Sequence, residues 1–556
     1  MKKLLILFFI FYSLMGNAQT VYEHISNERL YGFIDELAAL QLIDVTTAIK
    51  PYSRTAIAAY LVTAREQQEA LSRAQQALLD TYLNEYAHEA GNLKTGHGQL
   101  FSMPGTMSIH AFPPEIAWRD SLFRTLIRPI FGIRYFSSTN KDFYHSYFGA
   151  EVMAYAGKRW GAYASLRDNY QSSEPLAMPG YFTREEGGSY KIGVQGRSGA
   201  DYSEMRGGIT YSWNWGSLAF IKDHLQWGDN VAGSNIFSGR TPSFPMIKLH
   251  LKPAKWLEFD YFHGWLISEV IDSSRSYVTG NGDFRAVFRN KYIAANMYTF
   301  IPLKHLHISV GNSIVYSDVP VQPAYLIPFF FFKSIDHTLN KDIENQNSAM
   351  FLNLSSRQIK HIHLYASVFI DEFSVSRIGN PQRHNFTSLK GGFALSGWPL
   401  KGLYLATEFT HTNPITYKHR VPSTTFESNQ FNLGHYLRDN SREIFLAIRY
   451  PLWRTLQMRI SYTNAIHGNE YKYILGTPPI DELPVLAEKS WSAQTISLRA
   501  EMLPLPNVRV FAEYALSDVK GYAIDGKPET YYLDRFSPQY LHGKTNTLVL
   551  GFGMGF

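Results

Sequence analysis

The C-terminal stretch constrains the fold of this chain more than any other part of it. From Thr545 to Phe556 the sequence reads TNTLVLGFGMGF, in which large apolar residues alternate with threonine, valine and glycine. Because successive side chains of a β-strand point to opposite faces, the alternation puts the large apolar groups on one face. A strand in the wall of a membrane barrel needs one row that faces lipid and another that faces the lumen. The stretch therefore predicts a transmembrane β-strand.

The apolar row of this strand ends with Phe552, Met554 and Phe556. A chain that ends on phenylalanine resembles the signature by which outer-membrane barrels are recognised for insertion. The resemblance implies that these three residues form the insertion signal and that the barrel-assembly machinery is a transient partner. The glycines superficially match a nucleotide-binding loop, but no helix can follow them, so we set that interpretation aside.

Period-two alternation recurs along the chain, as at 209–215, 444–450 and 456–462. Charged residues on the non-lipid face of such stretches are Glu258, Asp260, Glu408, Arg449, Arg459, Arg499, Arg509 and Glu513. Facing lipid at the middle of the bilayer, each arginine would cost about 2–4 kcal/mol and each carboxylate less, so these residues predict an interior that is wet or in which charges pair. Aromatic residues make up 15% of the chain, which suits the aromatic girdles of a barrel. The alternative is a large soluble β-sandwich with one wet face.

Short breaks in the alternation allow the strands to be counted. Proline removes a ladder donor and belongs at strand ends, and five breaks contain one: Pro253, Pro302, Pro399, Pro451 and Pro504. Similar breaks at 157–160, 215–216 and 358–361 bring the hairpins to eight. With a strand near 131–136 and the final strand, residues 106–556 predict an all-β transmembrane barrel of about eighteen antiparallel strands. Nine longer connections join the hairpins, and an even strand count places both ends of the barrel in the periplasm.

The N-terminus predicts export. Lys2 and Lys3 precede a short apolar core, Leu4–Met15, and Gly16–Ala18 supplies the small residues of a cleavage site. This is the pattern of a removable signal peptide over residues 1–18, and together with the barrel it indicates the outer membrane of a Gram-negative bacterium. The chain has no cysteine, which excludes disulfides, thiol ligands and a lipidated cysteine. Its net charge of +6 comes without a basic cluster and gives no indication of a nucleic-acid partner.

Residues 19–105 are expected to form a helical segment and linker ahead of the barrel. Ser26 or Asn27 can cap a first helix that carries apolar residues at helical spacing, and Ser53 can cap a second. A third helix is expected around 71–82. Because three short helices bury little area alone, we expect them to dock at the periplasmic mouth. We interpret the segment as a structural plug or brace, with a partner-binding module as the alternative.

A family resemblance enters with the stretch Gln226–Asn230, which reads QWGDN, followed by the sequences SGRT at 238–241 and PMIKL at 245–249. Together these are similar to a segment of the Wzi capsule-assembly family. The stretches FIDEL at 33–37 and KPYSR at 50–54 resemble that family's helical leader. The resemblance implies a lectin-like, non-catalytic outer-membrane barrel that associates with capsular or other surface polysaccharide and retains or assembles it at the cell surface. It also implies a barrel that is not an open exporter of the polymer.

Carbohydrate binding requires aromatic faces together with amide, hydroxyl and charged groups, and the long connections supply them. The polysaccharide-binding candidates are Trp227, Asp229, Asn230, Arg240, Tyr531, Tyr532, Asp534 and Arg535. A third connection carries a run of four phenylalanines, 329–332, which is either part of such a surface or a lid that closes the lumen. For every one of these residues the alternative is ordinary loop packing.

Two His-x-His pairs, 305/307 and 361/363, place imidazoles on one strand face, but lumenal polar packing is favoured over a metal site. No nucleophile motif is present, so neither a catalytic residue nor a cofactor is predicted, and an outer-membrane lipase is the enzyme alternative. A barrel of this kind also suits a channel or transporter, or an accessory subunit of a secretion or assembly complex with a periplasmic or outer-membrane protein partner.

Overall fold

A computed structural model describes residues 19–90, 99–103, 106–193, 199–339, 344–380, 383–473 and 479–555. The expected signal peptide, 1–18, and the terminal Phe556 of the expected insertion signal lie outside these residues. Among the described residues, no helix is both long and apolar enough to cross a bilayer.

Eighteen long antiparallel strands form one closed barrel. In chain order, β1 to β18 span Phe123–Ser138, Asp142–Ala156, Trp160–Gln171, Ala200–Trp213, Gly216–Asp223, Phe244–Ala254, Leu257–Leu266, Lys291–Leu303, Leu306–Ser317, Gln346–Ser356, Ile362–Glu372, Phe386–Ser396, Tyr404–Thr412, Ser441–Trp453, Leu456–Gly468, Lys489–Leu505, Val508–Gly521 and Gly543–Met554. The last strand pairs with the first, with Phe552 opposite Ile133. The predicted all-β transmembrane barrel of about eighteen antiparallel strands is confirmed. The sandwich alternative is wrong because the sheet closes on itself.

The two faces of β18 are those predicted from the alternation. Leu548, Leu550 and Phe552 are exposed on the outside, whereas Gly551 and Gly553 are buried on the lumenal side. A β-carbon at Gly551 would lie 2.1 Å from the ring of Phe511. The small lumenal row therefore makes room for the aromatic side chains of neighbouring strands.

Tight turns lie at one end of the barrel and long connections at the other. All eight predicted breaks fall at the tight-turn end, which is called here the short-turn end. Of the nine connections at the opposite end, the one between β1 and β2 (139–141) is itself a tight turn, so only eight are long. The expectation of nine long connections is wrong at this point, because Ser137 and Asp142 already pair across a closed hairpin.

Three helices precede the barrel, as predicted: α1 (Glu28–Ala39), α2 (Arg54–Arg65) and α3 (Arg73–Glu85). The Ser53 side chain caps α2 by accepting a hydrogen bond from the Ala56 amide at 3.1 Å, and Ser72 begins α3 with a reciprocal capping box. The helix α1 begins after Asn27, whose side chain makes no capping bond. The apolar faces of the three helices pack against one another and against Leu503 of β16.

The helices dock at the short-turn end. The amide of His361, in the turn between β10 and β11, donates to the Ala39 carbonyl at 2.8 Å. Glu36 of α1 pairs with Arg449 of β14 at 3.1 Å. The N-terminal helical segment therefore neutralises Arg449, one of the charges that were predicted to face the lumen. Burial raises the pKa of Glu36, and the nearby Arg449 opposes that rise.

Further short elements complete the fold. Three strands, Gln99–Met103, Met107–Ala111 and Pro114–Arg119, continue the wall beside the first half of β1. Two more helices lie in long connections: α4 (Phe332–Leu339) between β9 and β10, and α5 (Glu529–Phe536) between β17 and β18.

Candidate functional site: the filled lumen and the long-loop surface

Long connections fold back into the lumen and fill it. The lumenal apolar core combines strand residues with Val21 and Tyr22 of the N-terminal segment, with Trp227 and Phe237 of the 224–243 connection, and with Tyr417 of the 413–440 connection. The connection between β3 and β4 also enters, where Arg134 of β1 forms a two-point ion pair with Glu185 at 2.7 and 3.0 Å. The barrel is therefore plugged by its own loops together with its N-terminal segment.

Trp227 lies at the centre of this plug and has no exposed surface. Its ring meets Phe237, Phe262 and Phe351 edge to face at centroid distances of 5.2–5.9 Å. Its backbone pairs with Ile49 in a two-stranded ribbon that joins the 224–243 connection to the N-terminal segment. Trp227, predicted to bind polysaccharide from a long connection, is therefore not at the surface, because this connection packs its apolar residues against strand residues inside the barrel.

Asp229 and Asn230 form the turn that follows Trp227. The Asp229 N–H donates to Asn353 Oδ1 at 3.1 Å, and Asn353 Nδ2 donates back to the Asp229 carboxylate at 2.9 Å. Asn230 Nδ2 donates to the Gly228 carbonyl at 2.7 Å, where Gly228 has a φ of +98° that favours glycine. Both predicted binding residues thus shape the plug.

Glu408 of β13 anchors the same connection to the far wall. Its carboxylate accepts the amide hydrogens of Val231 at 2.6 Å and Ala232 at 2.8 Å, together with the Tyr365 hydroxyl at 2.7 Å. The Lys390 ammonium lies 3.0 Å away, and both charged side chains are almost completely buried. A buried carboxylate that accepts several such bonds is a strong local anchor.

Arg240, also predicted to bind polysaccharide from a long connection, is buried. Its guanidinium stacks over Phe431 at 5.1 Å and donates to the carbonyls of Met178 and Tyr181 at 3.1 and 2.7 Å. It therefore ties three connections together.

The helix α5 places the other predicted residues at the long-loop surface. Tyr531 is 39% exposed, and Arg535 donates to its hydroxyl at 3.1 Å while pairing with Glu470 at 2.9 Å. Lys527 lies 5.2 Å from the Tyr531 ring centroid, and the Asp534 side chain is 68% exposed. An exposed ring thus stands among donors and acceptors, which is the combination that sugar recognition requires.

Tyr532, the remaining residue predicted on α5, points inward. It is buried and stacks beside Phe536 at 6.0 Å, within a cluster that includes Phe182 and Trp491. The structure therefore separates the two adjacent tyrosines: Tyr531 is available at the surface, whereas Tyr532 holds α5 on the barrel.

The phenylalanine run lies neither in the lumen nor at its mouth. Asn296 of β8 and Asn312 of β9 stand on the outer wall, since their strand neighbours face the lumenal core. Asn296 Nδ2 donates to the carbonyls of Pro328 and Phe330, each at 2.8 Å, and the Phe332 amide donates to Asn312 Oδ1 at 2.9 Å. The alternative of a lid over the lumen is wrong, because these amides hold the segment against the outside of the barrel. Nothing in the sequence marks the two asparagines as outward-facing.

The two His-x-His pairs make separate polar contacts. His305 Nδ1 lies 3.3 Å from Asp44, and His363 Nε2 lies 2.9 Å from the Ser355 hydroxyl. His361 Nδ1 bonds to the Ser396 carbonyl at 2.7 Å. They are not among the groups of three or more potential ligands that the described residues form.

Two cavities beside the plug are small. One lies between α1 and β14 and the other lies between Asp35, Lys50 and the turn at Asp229, and each has a volume of about 10 Å³. Such a volume holds about one water molecule, so neither provides a path for a solute.

Comparisons with known proteins agree with this fold. No family model and no curated protein matches the chain. Among solved structures, it resembles Wzi, an outer membrane protein involved in group 1 capsule assembly in Escherichia coli and described as a carbohydrate-binding β-barrel. The TM-score is 0.57 at 12% identity, with 97% of this chain and 100% of that chain covered. The Wzi-like fold predicted from the sequence is confirmed.

Other solved structures match this chain with lower scores. OccD3 of Pseudomonas aeruginosa matches with a TM-score of 0.41 at 10% identity, covering 77% of this chain and 90% of that chain. OccAB2 of Acinetobacter baumannii matches with a TM-score of 0.42 at 8% identity, covering 77% and 97%. These scores are too low to support an inference about function. The fold is that of outer-membrane barrels.

Proposed function

We propose that this chain is a non-catalytic outer-membrane barrel that associates with capsular or other surface polysaccharide and retains or assembles it at the cell surface. Residues 1–18 would be removed as a signal peptide, 19–105 would form a periplasmic helical segment and linker, and 106–556 would form the barrel. The short-turn end would face the periplasm and the long connections would face outward. Its partners would be membrane lipid, the barrel-assembly machinery during insertion, and the polymer.

The observation that carries this proposal is the filled lumen. Trp227, Arg240 and Glu408 hold loops across the interior by buried ring contacts, hydrogen bonds and an ion pair. A polymer cannot thread such an interior without displacing these contacts. An association with polysaccharide is therefore best placed on the outer surface, and the fold likeness to a barrel described as carbohydrate-binding supports this choice.

Within that surface, the cluster of Lys527, Tyr531, Asp534, Arg535 and Glu470 is the proposed contact for the polymer. It combines one exposed aromatic ring with charged groups of both signs. The buried candidates Trp227, Asp229, Asn230, Arg240 and Tyr532 would then act by holding the plug and α5 in place.

The test is a deletion strain that is complemented with variants. We expect deletion to leave the polysaccharide made but released into the medium, and wild-type protein to restore retention. Tyr531→Ala should restore it poorly, whereas Tyr277→Ala, which removes an exposed tyrosine from the connection between β7 and β8, should restore it fully. Unchanged retention in the deletion strain would refute the proposal, and a large steady current through the purified barrel in a planar bilayer would favour a channel instead.

A further inference from the structure

Two histidines and a glutamate from three different segments meet inside the barrel. His24 comes from the N-terminal segment, Glu186 from the connection between β3 and β4, and His224 directly follows β5. Each offers a ligand atom, and these atoms all lie within 4.8 Å of one another. Both imidazoles are buried, and their rings meet edge to face at a centroid distance of 5.2 Å.

A fourth potential ligand stands beside them. Glu204 of β4 places Oε1 3.3 Å from His224 Nε2, and its side chain is 9% exposed. Glu186 Oε1 is buried without a hydrogen-bond partner, and Glu204 Oε1 and His224 Nε2 contact each other as an ion pair without the geometry of a hydrogen bond. Leaving a buried polar atom unsatisfied costs about 1–3 kcal/mol. Because these lone-pair donors lie close together, a cation that accepts their lone pairs would be a favourable ligand here.

The surroundings of His224 resemble the support that metal-bound histidines have. His224 Nδ1 lies 3.0 Å from the Thr241 carbonyl, and a ring nitrogen that donates to a carbonyl leaves the opposite nitrogen free to bind a metal. His24 Nδ1 accepts the backbone N–H of Ser26 at 3.1 Å and lies 2.5 Å from the Ser26 hydroxyl, with Glu186 Oε1 3.7 Å away. A metal ion bound at this nitrogen would replace the hydrogen bonds to Ser26.

Three cations of the protein lie near the cluster, Arg206, Arg167 and Lys222. Arg206 is paired with Asp223 at 3.6 Å. Arg167 lies 3.4 Å from Glu186 Oε2, the carboxylate oxygen that is not oriented toward His24. Lys222 lies 3.9 Å from Glu204 Oε1, but its side chain is 39% exposed and it also bonds to Ser243. A bound cation can therefore displace Lys222 toward solvent while Arg167 still holds Glu186.

We propose that His24, Glu186 and His224 bind one divalent transition-metal ion, with Glu204 as a fourth ligand. Imidazole and carboxylate suit zinc, and two histidines with one glutamate are a known zinc ligand set. The ligands of a tetrahedral zinc lie about 3.4 Å apart for bonds of about 2.1 Å, so shifts of roughly 1 Å close the site. The ion would fasten the N-terminal segment to two lumenal connections and so stabilise the plug.

The test measures zinc binding by the whole protein, purified without a histidine tag, stripped with a chelator and kept in detergent. We expect one zinc per chain by calorimetry and a higher unfolding temperature when zinc is added, because a ligand that binds only the folded state stabilises it. His24→Gln and His224→Gln should each weaken binding at least tenfold. The matched controls, His305→Gln and His307→Gln, change the same residue type in the same barrel and should leave binding unchanged.

A second measurement does not depend on variants that fold. The X-ray absorption spectrum of the wild-type protein with one zinc should show only nitrogen and oxygen ligands, including two imidazoles. The proposal is overturned if the stripped protein binds no zinc, if binding survives in His24→Gln and His224→Gln, or if the spectrum lacks two imidazoles. In those cases the cluster is an ion pair between His224 and Glu204 and nothing more.

Discussion

Replacing Glu408 with alanine should release the 224–243 connection from the barrel wall. The change removes four contacts made by one buried carboxylate, to Val231, Ala232, Tyr365 and Lys390. Breaking a buried ion pair by removing one partner costs about 3–5 kcal/mol, since it leaves a charge without compensation. We take that range as the destabilisation of the docked loop.

Hydrogen exchange measured by mass spectrometry in detergent is the direct assay. A loss of about 3–5 kcal/mol corresponds to exchange that is faster by roughly 10²- to 10⁴-fold. The faster exchange should be confined to peptides that contain Val231 and Ala232. The double variant Lys390→Met with Glu408→Gln removes both charges and should be less affected than Glu408→Ala, because replacing a buried pair with neutral groups is often tolerated.

Unchanged exchange of the 224–243 connection in Glu408→Ala would refute the reasoning. It would mean that the ring contacts of Trp227 hold the loop without the carboxylate. Planar-bilayer recordings give a second readout, since the released loop should convert a closed barrel into one with measurable current.

Three other changes test separate parts of the structure. Asn312→Leu should leave the Phe332 amide hydrogen and Asn296 Oδ1 without their partner and lower the unfolding temperature on heat-modifiability gels by an amount that corresponds to about 1–3 kcal/mol, whereas Asn546→Leu, at an exposed position near the start of β18, should not. Tyr532→Ala should loosen α5 and speed its proteolysis, while Tyr531→Ala should leave proteolysis unchanged. Burial, followed by the nearby Glu23, raises the pKa of Glu85 to about 7; because this folded-state pKa is above the unfolded value, the carboxyl penalises folding as pH rises from about 4.5 through 7. Glu85→Gln should therefore raise the unfolding temperature at pH 8 and leave it nearly unchanged at pH 4, and equal effects at both pH values would contradict the assignment.

The barrel was predictable because its rules are local. Alternation in β18 fixes which side chains face lipid, and the short breaks at Pro253 or Pro451 mark the tight turns without any knowledge of the rest of the fold. The helix cap at Ser53 is likewise a short-range signal.

The placement of the loops was not predictable in the same way. Trp227 and Arg240 are residue types that are typical of exposed recognition loops. Inside the barrel, however, Trp227 packs against Phe262 of a strand, and Arg240 donates to the carbonyl of Tyr181 in another connection. Asn296 and Asn312 show the converse: two amides on a lipid-facing wall are tolerated only because a segment more than ten residues away in sequence covers them. Such long-range pairings leave no periodic trace in one sequence.

The tyrosine pair on α5 shows the same limit at close range. Tyr531 and Tyr532 are equal candidates in the sequence because both are aromatic residues of a long connection. Adjacent positions on a helix point in different directions, so only the packing against Phe536 decides which ring is buried.

Binding of the organism's own surface polysaccharide to the purified, tag-free barrel tests the central claim most directly. We predict saturable binding that Tyr531→Ala weakens and Tyr277→Ala does not. A correctly folded barrel that binds none of this polysaccharide would contradict the claim.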